Sequence, residues 1–163
     1  MPAARSATVA VLALLLAAAA PVAPAHAMGE LVVRQSRLGV RDTIDALAKA
    51  LEASGITIVA RVDHAAAAKA EGLELPPTEV LIFGNPKLGT PLMPSNPEIA
   101  IDLPLKAVAW QSADGKVMFG YTAPDRLKAR HGIKDRDEVF KAMAAALLAF
   151  SDAATGAAPA ATK

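Results

Sequence analysis

With 17 basic and 16 acidic side chains in 163 residues, the chain has no cationic surplus to set against phosphates, which argues against a nucleic-acid partner. Cysteine is absent, which removes disulfides, thiolate metal sites and thiol nucleophiles together. A chain of this length still buries enough surface to be held by its core alone.

Residues 1–27 read as a secretory signal peptide: Arg5 gives the positive start, Val9 to Ala20 form an unbroken apolar run, and Ala25-His26-Ala27 offers the small-x-small cleavage pattern. The run is short for a membrane span, which needs roughly 20 residues. The expected location is therefore periplasmic or secreted, with no integral membrane segment after cleavage. Removal takes away Arg5 and His26, leaving equal numbers of acids and bases and only His64 and His131 as imidazoles.

One domain is expected over residues 28–152, followed by an Ala-rich tail, 153–163, that reads as disordered. Leu31 to Gln35 suits a short strand. Val40, Ile44, Leu47, Ala48 and Leu51 fall at helical spacing, so residues 40–54 make an amphipathic helix stopped by Gly55. Ile56 to Val62 is rich in β-branched residues and reads as a strand, His64 to Glu71 as a short helix, and Glu79 to Phe83 as a third strand. Pro86 to Pro97 carries four prolines and is expected to be a rigid loop with at most one helical turn.

Asp114-Gly115 is a two-residue turn signal for a hairpin over Leu105–Thr122. That turn pairs Trp110 with Phe119 and Val108 with Tyr121, gathering Val108, Trp110, Val117, Phe119 and Tyr121 on one face. Ala107, Ala109, Gly120 and Thr122 then line the other face, where small side chains suit either a packed helix or a shallow ligand surface. Helices over Pro124 to Arg130 and Arg136 to Phe150 close the chain. Asp135 and Glu138 form a variant capping box, and Val139, Phe140, Met143, Leu147 and Phe150 the core stripe. The order β-α-β-α-β-β-β-α-α gives an α+β fold, a mainly antiparallel sheet with helices on one face.

Several motifs stand in fixed order from Arg61 to Tyr121. They are Val62-Asp63-His64 with Ala68, Leu73 and Leu75-Pro76, Phe83-Gly84-Asn85-Pro86 with Gly89, Asp102-Leu103-Pro104-Leu105, and Asp114-Gly115-Lys116. This stretch, and more weakly the first helix and last two, resembles the bacterial and archaeal family known as domain of unknown function 302. The resemblance implies a TATA-binding-protein-like α+β fold, a curved antiparallel sheet backed by helices. It implies no activity, cofactor or catalytic residue.

Candidate site residues rest on residue chemistry alone. Asp63 stands where an N-cap is expected, and His64 at the first helical position feels the positive helix end, which favours the neutral imidazole that a metal ligand or general base needs. Gly84 permits close backbone approach, and Asn85 before proline is held extended. If strands 56–62 and 79–83 are neighbours, both chain reversals meet at one rim and His64, Asn85 and Asp102 converge. The candidate ligand-binding set is Asp63, His64, Phe83, Gly84, Asn85 and Asp102, in a non-catalytic module for a small molecule or a partner. The same residues also fit a purely structural role as caps and turn formers. Three rival readings stay open: a metal or haem site through His64, a hydrolase-like enzyme with His64 as base oriented by Asp63 or Asp102, and a homodimer joined through the small-residue sheet face. No cofactor motif or enzyme signature is present. His131, at a helix C-terminus, is expected to cap; Trp110 and Tyr121 are expected in the core; Lys87, Lys106 and Lys116 are expected in solvent.

Overall fold

A computed structural model describes residues 30–157. The elements are β1 (Leu31–Gln35), α1 (Val40–Ala53), β2 (Thr57–Asp63), α2 (His64–Ala70), β3 (Thr78–Gly84), α3 (Pro86–Gly89), β4 (Leu105–Gln111), β5 (Val117–Thr122), α4 (Pro124–Arg130) and α5 (Asp137–Thr155). The strands form one open antiparallel sheet in the order β1-β5-β4-β3-β2. This is the α+β architecture expected, with each strand and longer helix where the hydrophobic period puts it.

The core lies between one sheet face and the helices α1 and α5. Ile44, Leu47 and Leu51 from α1 and Leu147 and Ala154 from α5 meet Leu81, Phe83, Ala107, Ala109, Phe119 and Tyr121 from the sheet. Ala107 and Ala109, fully covered, let α1 approach the middle of the sheet closely. At the edge, Arg34 of β1 reaches Asp152 of α5 and donates to Ser151 Oγ at 3.2 Å, fastening the last helix to the first strand. A second apolar cluster, Leu92, Ile99, Leu127, Ile133, Phe140 and Met143, extends the core beyond the sheet end.

The hairpin departs from expectation by one residue. Its loop has three residues, not two: Gly115 N donates to Ser112 O at 2.9 Å, Ser112 N donates to Lys116 O at 2.8 Å, and Gly115 sits at φ +80°. This is a tight turn followed by a left-handed glycine, the other loop that an Asp-Gly pair supports. Trp110 therefore pairs with Met118, and Ala109 with Phe119. A one-residue slip inverts a strand. Ala107 and Ala109 join Phe119 and Tyr121 in the core, whereas Val108 and Trp110 turn to the opposite face, so Trp110 is not a core residue. Ala107 and Ala109 serve helix packing and cannot form a dimer seam because helices cover them, whereas Gly120 and Thr122 lie on the opposite face, so the expected small-residue face does not exist.

Three further differences have local causes. The stretch expected to hold at most one turn contains α3 and two 3₁₀ segments, Thr90–Leu92 and Pro97–Ile101. Proline stands in the first turn of each, and Asn85 and Asn96 cap two of them by accepting from Lys87 N and Glu98 N. The Asp135–Glu138 capping box does not form: Arg136 occupies the cap position at φ +68°, Asp135 accepts from Ser95, and Glu138 pairs with Lys141. Finally, α5 continues past residue 152 to Thr155, burying Ala154 and Thr155 before Gly156 ends it at φ +64°. The expected signal peptide, and the tail from residue 158, lie outside the described residues.

Candidate functional site

β2 and β3 are neighbours, as expected, but they run antiparallel, with Asp63 opposite Glu79 and Thr57 opposite Gly84. The two chain reversals therefore lie at opposite ends of the pair, a strand length of about 20 Å apart. His64 does not converge with Asn85 and Asp102. The expected meeting of imidazole, amide and carboxylate is corrected by strand direction.

At the α2 end, Asp63 does cap the helix, accepting from Ala66 N at 2.8 Å. Around it the charges satisfy one another. Glu79, only 4% exposed, binds Arg61 at 2.6 Å; Arg61 also reaches Asp45; and Arg41 lies 3.8 Å from Asp63. His64 is exposed and makes no interaction with another described side chain. Among the described residues no group of three or more His, Cys, Asp or Glu side chains is arranged to hold a metal ion.

Asp102 sits at the other sheet end, in a second polar cluster. Its Oδ2 accepts from His131 Nε2 at 2.6 Å, and Arg130 Nη1 spans both carboxylate oxygens at 2.8 and 2.9 Å. Arg130 also contacts Glu30, and Asn96 Nδ2 donates to the His131 carbonyl at 2.9 Å. Burial pushes the Asp102 carboxyl up, but hydrogen bonds from His131 and Arg130, with their charge, outweigh it and hold the pKa below the usual carboxylate value. His131 thus belongs to an ion-paired latch in addition to ending α4, with a side chain 6% exposed. Its pairing with Asp102 joins residues 29 apart and leaves no local sequence signal.

Phe83, Gly84 and Asn85 border a cavity of about 320 Å³ at the same end of the sheet. The floor is Phe83 and Leu105 at the end of the sheet. One wall is Met143, Ala146, Leu147 and Phe150 of α5, and the other is Leu88 and Met93 from the proline-rich segment. Thr57, Asn85 and Thr90 are the polar side chains on its lining, which includes no charged group. Gly84 allows a close approach here: a Cβ would lie 3.1 Å from that of Pro104, tighter than ordinary contact. Asn85 spends its Oδ1 on Lys87 N, so the turn at the mouth is fixed by its own side chain. The volume falls at the lower end of the range for small-molecule sites. Sequence reasoning found Phe83, Gly84 and Asn85 but missed the α5 wall, whose residues carry an ordinary core stripe.

The family model described as domain of unknown function DUF302 matches residues 32–150. The chain belongs to the DUF302 family. A crystal structure of an uncharacterized conserved DUF302 protein from Bacillus stearothermophilus superposes with a TM-score of 0.69 at 21% identity, covering 77% of this chain and 98% of that one. Two curated relatives are also similar: "Fluoride-specific ion channel FluC 1" of Brucella suis, and "Fluoride-specific ion channel FluC 2" of Brucella melitensis. Each is 44% identical over 114 residues, 69% of this chain and respectively 45% and 42% of the relative's own length. The chain thus spans less than half the length of the curated relatives it matches. No helix among the described residues is long and apolar enough to cross a membrane.

Proposed function

We propose that this DUF302 domain is a non-catalytic binding module that takes a small uncharged, largely apolar ligand in the cavity between the β3 end and α5. The observation that carries this reading is the uncharged, mostly aliphatic and aromatic lining of a cavity of about 320 Å³. Apolar surface left without partner atoms forfeits both hydrophobic and dispersion gain, which a complementary ligand recovers. Two methionines in the wall, Met93 and Met143, give it side chains that adapt to shape. We further propose export directed by residues 1–27, so that ligand is met in the periplasm or outside the cell.

Native mass spectrometry of the protein purified from its own compartment tests both parts. The expected species begins at Met28 and carries a small neutral adduct that Ala146→Phe, which fills the cavity from α5, loses. An unprocessed N-terminus would remove the export proposal, and an adduct retained in Ala146→Phe would remove the cavity as the site.

A second reading comes from the Brucella relatives, whose names assign them to a fluoride channel while this domain accounts for less than half their length. It holds that this domain acts beside an ion channel. Fluoride efflux from vesicles carrying a fluoride channel of the same cell, with and without this chain, tests it: a changed rate supports the reading and an unchanged rate dismisses it.

A further inference from the structure

The sheet has a second face, away from the core that α1 and α5 cover, against which no long helix among the described residues packs. Strand alternation puts Val33 of β1, Met118 of β5, Val108 and Trp110 of β4, and Val80 and Ile82 of β3 on that side. The helices α1 and α5 share the core cluster on the opposite side, and Arg34, Arg61 and Phe119, whose neighbours in sequence point outward, all face it. Val33 and Leu31 are each 45% exposed. Trp110 packs over Gly120 of the neighbouring strand, with two ring carbons 3.2 and 3.5 Å from where a Gly120 Cβ would stand.

We propose that this face is the interface of a homodimer in which two copies pack sheet against sheet about a twofold axis. Three features select a second copy. The first is arrangement. Val33, Gly120, Val108 and Val80 form the middle row across the strands, whereas Gln35, Met118, Trp110 and Thr78 form one outer row, and Leu31, Thr122, Lys106 and Ile82 the other. An apolar middle row, with Gln35, Thr78, Thr122 and Lys106 confined to the rows beside it, has the anatomy of a specific protein interface. The second is charge. Lys106 is the one charged side chain among the outward positions of β1, β3, β4 and β5, so a strongly charged partner finds no complement, whereas an identical apolar face does.

The third feature is area. Five strands spaced about 4.8 Å apart, with strands of about 20 Å, present a footprint on the order of 500 Å². Two such faces bury about 1,000 Å², the threshold at which an interface becomes specific. The dimer is accordingly reversible and concentration-dependent. Sheets packed face to face sit about 10 Å apart, close enough for Trp110 of each copy to be shielded by the other. The inference is independent of the cavity, which opens at the sheet end.

Sedimentation velocity of the full chain over a wide concentration range tests it, with the emission of Trp110, the lone tryptophan, as a second readout. The expected result is a shift from monomer to dimer mass with a parallel blue shift in emission. Val108→Glu places two carboxylates at the seam and raises the dissociation constant at least tenfold; Val33→Lys does the same should the first variant fail to fold. Leu148→Lys, on the helical side, where Leu148 is 46% exposed, leaves both readouts unchanged. A monomer at every concentration overturns the proposal, as does a dimer indifferent to Val108→Glu and Val33→Lys. A monomer that floats with neutral-lipid vesicles through Trp110 also overturns it and gives the face to a membrane.

Discussion

The two ends of the β2–β3 pair differ in what they do with their chemistry. At the α2 end, charged residues are dense, and Arg41, Arg61, Asp45, Asp63 and Glu79 spend their charge on one another. At the α3 end, beside the latch of Asp102, Arg130 and His131, an uncharged lining that includes Phe83, Leu105, Met93 and Leu147 surrounds space that the chain does not fill. Polar density marks a finished network; unfilled apolar volume marks the place where something else can add free energy. His64, the most suggestive residue in the sequence, belongs to the finished end.

The sharpest way to break that contrast is at the cavity floor. Phe83→Ala is expected to cost about 3 kcal/mol in chemical denaturation while enlarging the cavity, so that bulkier neutral ligands restore part of the loss. A loss of that size with no rescue by any neutral ligand would make Phe83 ordinary core. Next in size, Glu79→Ala removes the buried one of the two carboxylates that Arg61 binds, leaving Asp45, and is expected to cost about 2 kcal/mol, with no effect on ligand binding at the far end. Reduced binding in that variant would join the two ends functionally.

Asp102→Ala should cost about 1 to 2 kcal/mol, because His131 and Arg130 lose their shared acceptor. Its pH signature follows from the lowered pKa. The contribution is complete above the ordinary carboxylate value of 3.8 and is lost as pH falls through the lower folded-state value. Wild-type stability should therefore fall more steeply than that of Asp102→Ala on acidification below that point; parallel curves would show that the latch carries no linkage. The smallest effect is expected from His64→Ala, within about 0.5 kcal/mol, as for other exposed side chains without partners. Its ligand binding should be unchanged by titration calorimetry.

Much of the fold was legible because it is written locally. The helical spacing of Val40, Ile44, Leu47 and Leu51, the cap at Asp63 and the left-handed glycine after α1 all act within a few residues. What could not be read depends on choices that a local pattern leaves degenerate. Asp114-Gly115 serves a two-residue or a three-residue loop, and that one residue decides whether Trp110 faces helices or the open side. The candidate site was half legible. Phe83, Gly84 and Asn85 border the cavity, but Asp63 and His64 were grouped with them on an assumption about strand direction that pattern does not fix. The α5 wall was invisible for a different reason: Met143 and Leu147 look the same whether they face a filled core or a cavity.

Methyl-resolved NMR of the full chain, titrated with small neutral probes such as indole and decanol, tests the contrast most directly. Saturable shifts are expected at the methyls of Leu88, Met93, Met143 and Leu147, with none along α2. Saturable shifts confined to the neighbourhood of Asp63, Ala66 and Leu75 would contradict the account and return the site to the charged end.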